Sequence, residues 1–542
     1  MHRSRRLLVL IAILVWSVLP ATVLAAENDK VAAELKSIID SGQPAIGNED
    51  NDERVVEVYV FYASDRSYKP LWVRDNGPKT KAHEVLDVFK AATEMGLNPA
   101  NYQVAEIERR MGASDPHALA ELELLLTRAF IDFGRDISRG RILPQQAGSD
   151  NAIVSKELGP LTLIDGAENA DSIAAYVKTL EPQSDAYWRL KKALADYRGI
   201  AAKGGWPTIA KGPVLKPGMS DPRVPEIRRY LTITGDLDQA AHGSGEKYDN
   251  VLAGAVKHFQ LRQGLTEDGI IAQTMLDVMN VPVIDRIRQI EANLERRRWM
   301  EDNPGRYYIS VNVADQTLQV IRDGQVIHWA RLVVGKPYSS TPVFTETMKY
   351  IVLNPYWSVP SSIAAKEYLP KLKRNPGALN GEAIRIFAGT GGNTHEVDPH
   401  SVDWSKLNGM PFSLRQDAGG KNALGRVKFM FPNRFNVYLH DTPSKSLFAK
   451  DLRIFSHGCM RVEYPLELAA LLLKDQGWTR ERIDSQVATG QQRVINLARP
   501  VPVHVTYITA WADETGSVEF RRDVYGRDQH VIQALGEGLP PN

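Results

Sequence analysis

Residues 456–462 read Ser456-His457-Gly458-Cys459-Met460-Arg461-Val462, and upstream of them residues 438–443 read Tyr438-Leu439-His440-Asp441-Thr442-Pro443. The first stretch holds the only cysteine of the 542-residue chain. A free thiol has a pKa of about 8.5 and is mostly protonated at neutral pH, so a nucleophilic cysteine needs a base or a cation beside it. His440 or His457 can supply one. The separation of 459 − 440 = 19 residues allows a strand ending at His440, a loop, and a return that places Cys459 opposite it. Gly458 permits a tight turn before the thiol, and the N–H groups of Gly458 and Cys459 can point at a developing oxyanion. The apolar run at 466–473 predicts a helix directly afterwards.

Working outward, strand-like runs at 307–313, 317–322, 326–334 and 349–353, with Asp323-Gly324 as a turn signal, predict a β-rich domain over residues 301–542. Residues 361–422 interrupt these strands with helix formers, prolines and glycines, which predicts an insertion over one end of the sheet, of the kind a mobile lid makes. Upstream, residues 283–300 form a charged helix with Ile284, Ile287, Ile290 and Leu294 on one face and Arg296-Arg297-Arg298 at a solvated end. Residues 212–282 carry three short helical patterns, around Val224, Ile227 and Leu231, around Leu252, Val256 and Phe259, and at 272–279.

Residues 53–211 read as a mostly helical domain. It has a β-like run at 55–62, an aromatic segment at 68–73 and helices at 81–95 and 118–137. Residues 26–52 read as a flexible leader with a short helical start at 31–39. The fold class is therefore multidomain α+β: a helical N-terminal domain, a three-helix module, and a β-rich domain with an inserted lid.

The first residues carry the pattern of an export signal: Arg3, Arg5 and Arg6, an apolar run at 7–19, and small residues at 21–26, with cleavage after Ala25 or Ala26. The alternative is a retained membrane anchor. No later segment is apolar enough to span a bilayer, so the mature chain is expected to be soluble and outside the cytoplasm. Lysine plus arginine number 66 against 65 acidic residues, which gives no reason to expect a nucleic-acid partner. One cysteine excludes an internal disulfide, and an unpaired thiol in an oxidising compartment invites a chemical explanation; the plain alternative is a small buried hydrophobe. A metal site built on His440, His457 and Cys459 lacks a fourth ligand, and neither a metal nor a cofactor is expected.

Ala255-Val256, Phe259-Gln260, Gly264-Leu265, Asp268-Gly269 and Thr274 resemble the signature of three-helix peptidoglycan-binding domains; a generic helical spacer is the alternative. The stretch 456–461 closely resembles the Ser/Thr-His-Gly-Cys-x-Arg motif of L,D-transpeptidases of the YkuD type, with His440 in the place of the family's upstream histidine. The agreement extends through Asn354-Pro355-Tyr356-Trp357, Val359-Pro360, Leu424-Gly425-Arg426-Val427-Lys428-Phe429 and residues 507–528. Together these resemble the large periplasmic L,D-transpeptidases of Gram-negative bacteria.

The resemblance implies Cys459 as nucleophile, His440 as general base, and Gly458 with Cys459 as oxyanion donors. It also implies Arg461, Tyr438, Trp357, His457 and Ser456 as substrate-binding or pocket residues. The implied partners are peptidoglycan tetrapeptide stems, as donor and acceptor, and other cell-wall synthesis enzymes. The implied reaction is a 3-3 cross-link through a cysteine thioester with loss of D-alanine, on a thiol open to carbapenems. Water or the amino terminus of an envelope protein are alternative acceptors, and a non-catalytic peptidoglycan-binding scaffold is the alternative from another class. Shorter family members often have glycine after the upstream histidine. Asp441 stands there in this chain and should point away from the site, leaving a backbone carbonyl to orient His440.

Overall fold

The computed structural model describes residues 29–41, 53–241, 243 and 245–536. The proposed signal segment and residues 42–52 of the leader lie outside these. The chain divides into two compact units, the first made of residues 1–93, 98–134 and 158–178, the second of the remainder.

The first unit is helical. Residues 29–41, within the stretch read as a flexible leader, form the helix Asp29–Ser41, and its Val31, Leu35 and Ile38 are buried at the spacing of one helical face. The run at 55–62, expected as a strand, is helical too: Glu53–Val60 is an α-helix that passes into a π-turn at Phe61–Asp65. Val58, Phe61 and Tyr62 are its buried positions, three and four residues apart, and this helical periodicity overrides the β-propensity of the valines. The buried carboxylate of Glu123, on the long Pro116–Arg139 helix, accepts the backbone N–H groups of Trp72 at 2.7 Å and Val73 at 3.0 Å and so ties down the aromatic segment.

In the second unit, the helices Val224–Ile233, Asn250–Arg262 and Gln273–Met279 enclose a small core that includes Leu231, Val256 and Phe259. The helix Val283–Arg298 follows. Its arginine end is not solvated: Arg296 and Arg298 are 5% and 1% exposed. The helix is packed on most sides, so its charges are paired, Arg296 with Asp528 and Arg298 with Glu295 at 3.0 Å, and the side left to solvent carries Ile284.

Among the described residues the main sheet of the β-rich part has nine strands: β1 (Tyr307–Asn312), β2 (Thr317–Arg322), β3 (Gln325–Gly335), β4 (Phe344–Leu353), β5 (Val427–Met430), β6 (Leu439–His440), β7 (Ile454–Ser456), β8 (Met460–Val462) and β9 (Arg493–Thr506). Their order is β7-β3-β8-β6-β5-β4-β9-β1-β2, and β2 also pairs with β3, so the ring of pairings closes. Strand β3 is long enough to serve three neighbours: its first part pairs with β2, its last part with β8 and β7. The enclosed core is apolar, with Ile309, Val320, Leu332, Met348, Phe429, Leu439 and Val503, and the helix Pro465–Leu473 packs on it.

Residues 361–422 form a structured insertion. A four-stranded sheet of Trp357–Ser358, Ile384–Ala388, His395–Glu396 and Ser413–Gln416 packs with helical turns around Leu369, Leu372, Ile386, Trp404 and Leu414. Among the described residues no helix is long and apolar enough to cross a membrane.

Candidate active site

Strands β6 and β8 bring the two sequence stretches together. They run parallel, with Leu439 level with Met460 and His440 level with Arg461, and Met460 N–H donates to Tyr438 O at 3.0 Å. The connection through β7 is thus a crossover, not the simple return expected, and Cys459 lies level with Tyr438, not opposite His440. Because alternate residues of a strand share a face, Tyr438, His440, Cys459 and Arg461 stand on one side, and Lys428 of β5, the Cα partner of His440, joins them. Leu439, Phe429 and Met460 point the other way, into the core.

His440 is buried and its Nδ1 lies 2.5 Å from the carbonyl oxygen of Asp441. A carbonyl can only accept, so Nδ1 carries the proton and the neutral ring keeps a free lone pair on Nε2. Burial, helped by the cations Arg461 and Lys428, pushes the imidazole down to about 3. Burial likewise pushes the Cys459 thiol up, against the opposing pull of the Tyr438 backbone and the two cations. Both shifts favour the neutral forms of the thiol and the imidazole. Asp441 turns its carboxylate away, onto the N–H groups of Arg426 at 2.8 Å and Thr442 at 2.6 Å. A Cβ on Gly425, whose φ is +58°, would collide with that carboxylate at 2.4 Å, so glycine is required there.

Two cations face this site without a carboxylate partner among the described residues. The Lys428 ammonium sits 3.9 Å from the Tyr438 ring centroid, and Arg461 has an enclosed Nε with no acceptor. Burial lowers the pKa of both.

The turn before the thiol is built from Gly458 at φ +108°, a conformation that side chains rarely adopt. Gly458 N–H, expected as an oxyanion donor, is engaged by Ser456 Oγ at 3.2 Å, and that hydroxyl donates to Cys459 O at 2.5 Å. Ser456 is 2% exposed, so it holds the turn from inside and does not face a substrate. Thr341 Oγ1 donates to Gly458 O at 2.8 Å and accepts Gly335 N–H at 3.0 Å. In a planar trans peptide the carbonyl and the following N–H point in opposite directions, so fixing Gly458 O also fixes Cys459 N–H, for which no acceptor is found among the described residues. One backbone donor remains for an oxyanion.

Sequence comparison agrees with this geometry. Residues 306–503 match the family of the L,D-transpeptidase catalytic domain, residues 220–279 that of a provisionally described peptidoglycan binding domain, and residues 57–194 that of a scaffold domain. A Haemophilus influenzae protein, provisionally named an L,D-transpeptidase, is 37% identical over 224 residues, 41% of this chain and 45% of the relative. Residues 306–503 are therefore similar to the L,D-transpeptidase catalytic-domain family.

The chain spans less than half the length of that relative. Two solved structures are also similar: an L,D-transpeptidase from Stackebrandtia nassauensis (14% identity, 55% of this chain and 96% of that one, TM-score 0.22) and one from Mycobacterium smegmatis (13%, 37% and 58%, TM-score 0.18).

The remaining expected residues of the transpeptidase domain are placed less directly. His457 turns toward the insertion, where its Nε2 lies 2.7 Å from Glu367. Trp357 packs edge-on to Tyr368 inside the insertion's own core, and no contact between it and Cys459 is found among the described residues. Lys428 and Thr341 were missed by the sequence reading. Lys428 could have been found as a charge between two buried strand positions, Val427 and Phe429; nothing in residues 336–342 marks Thr341.

Proposed function

We propose that this protein is an exported L,D-transpeptidase that forms 3-3 cross-links between peptidoglycan stems. The observation that carries the reading is the shared face of Cys459, His440, Tyr438, Lys428 and Arg461, with the His440 tautomer set by the Asp441 carbonyl. Cys459 gives its proton to His440 Nε2 as sulfur attacks the carbonyl of the third residue of a tetrapeptide stem. The oxyanion forms against Cys459 N–H. The C–N bond then breaks, His440 returns the proton to the departing D-alanine amine, and a thioester remains. A side-chain amine of a second stem attacks the thioester, His440 accepts its proton, and the thiol is released. The donor's amide bond supplies the driving force, so no nucleotide is needed.

Lys428 and Arg461 suit the carboxylates of the donor stem, since two half-buried cations without counter-ions are stabilised when an anion enters. The module at 220–279 would hold the enzyme on its polymeric substrate.

Purified full-length protein given a disaccharide tetrapeptide should yield the cross-linked dimer and free D-alanine by mass spectrometry, and Cys459→Ala should yield neither. Normal product from that variant defeats the proposal. Products carrying water or a protein amino terminus in place of the second stem would reassign the acceptor.

A further inference from the structure

A cavity of about 720 Å³ opens between the end of the helix Val283–Arg298, the start of the helix Asp185–Ala202, and strands β1 and β9. It shares no lining residue with the Cys459 site. Arg297 lines it, half-buried, and its surroundings are anomalous for this helix. The neighbours Arg296 and Arg298 each have a carboxylate, whereas Arg297 has none among the described residues. Its Nε is enclosed without an acceptor, and the recorded contact of Nη1 is the Met300 thioether at 4.0 Å.

After burial, the strongest influence on its charge is a second cation, Arg189, whose Nε donates to Ala512 O at 3.2 Å and which also lacks a carboxylate. His504, also at the lining, shares Nδ1 with Thr345 Oγ1 at 3.0 Å. An uncompensated guanidinium at a cavity costs stability, and an entering anion removes that cost.

The remaining walls narrow the class of anion. Ile153, Trp299 and Met300 make one side apolar, which favours an organic ligand. Asp302 is taken up by Lys156 and by Gln183 N–H at 2.9 Å, while Asp185 and Glu301 stand at the lining with no ion pair among the described residues, and they suit an amine and oppose a doubly charged phosphate. The volume lies within the usual range for small-molecule sites.

We propose that this cavity is a second binding site, taking the carboxylate end of a zwitterionic short peptide on Arg297. The proposal does not depend on the transpeptidase reading and would stand if Cys459 were inert.

Saturation-transfer NMR on the full-length Cys459→Ala protein, with alanyl-alanine, its C-terminal amide and inorganic phosphate as probes, tests it. The free acid should bind, and binding should fall about tenfold or more both for the amide and for Arg297→Met, as loss of a charge-assisted hydrogen bond implies. Arg297→Met should melt no lower than its parent, because it removes an unpaired buried charge. Equal binding of acid and amide, retained binding in Arg297→Met, tighter binding of phosphate than of the peptide, or no binding at all overturns the proposal. If Arg297→Met fails to fold, Arg297→Gln replaces it, and undiminished peptide binding in that variant has the same meaning.

Discussion

Replacing Thr341 by valine separates the oxyanion role of the Cys459 turn from the reactivity of its thiol. Valine keeps the volume of this fully buried side chain and removes only the hydroxyl, which leaves Gly458 O without its 2.8 Å donor and Gly335 N–H without its 3.0 Å acceptor. Each unsatisfied group costs about 1–3 kcal/mol, so the Gly458–Cys459 peptide is expected to rotate to find another partner and to carry Cys459 N–H out of line. Deleting an oxyanion donor typically costs about 10²–10³ in rate, and misaligning one should cost less, about 10–100-fold. The assay compares two reactions of the same thiol. Acylation by a carbapenem passes through a tetrahedral oxyanion and should slow by that factor in Thr341→Val. Alkylation by iodoacetamide has no oxyanion and should keep its rate and pH profile. Thr341→Ser, which retains the hydroxyl, should recover acylation. Equal slowing of both reactions would reduce Thr341 to a general structural role, and unchanged acylation would refute the argument outright.

Three further outcomes are expected. Lys428→Met removes a cation that favours thiolate and disfavours imidazolium, so the alkylation profile of Cys459 should move to higher pH and the acid limb of kcat/KM should rise toward the ordinary histidine range; a profile that does not move contradicts the placement of Lys428. The unfolded chain protonates His440 below about pH 6.5 but the folded chain only near 3, so the unfolded state binds the extra proton in between, and stability should fall as pH drops through that window and then level off. The melting temperature of His440→Gln should lose that part of the pH dependence, and identical curves for parent and variant would be the contrary result. The insertion is tied near the nucleophile by the half-exposed His457–Glu367 pair, worth about 0–1 kcal/mol, so Glu367→Gln should barely change stability. Hydrogen exchange across 361–422 should still be faster than in β5 and β8; equal protection would remove the lid reading.

The sequence was most legible where chemistry and periodicity coincided. The alternation of Val427, Phe429 and Leu439 with Lys428 and His440 is visible in the bare chain and becomes the two faces of β5 and β6. The four strands expected between 307 and 353 are present, because their turns are marked by residues such as Asp323-Gly324. What stayed hidden depended on long-range packing. Val58, Phe61 and Tyr62 suit either a strand or a helix until the partners that bury them are known. The arginines at 296–298 look solvated because their partners, such as Asp528, lie far along the chain. Ser456 carries a hydroxyl beside the nucleophile, and only the turn geometry shows that it points inward. Closure of the ring could not be read at all, since it rests on the pairing of β3 with β2 and β8 at once.

That closure sets an order of assembly. Strand β9 joins β4 to β1 and lies downstream of both active-site stretches, and Tyr525, later still, donates from its hydroxyl to Gly335 O at 2.6 Å and accepts Thr341 N–H at 3.3 Å. The peptide that aims Cys459 N–H is therefore held in part through a residue that emerges after Cys459 itself. A chain interrupted during synthesis between residues 462 and 493 has its thiol and its histidine but no closed barrel to align them. Catalytic competence arrives late, when nearly the whole chain is present.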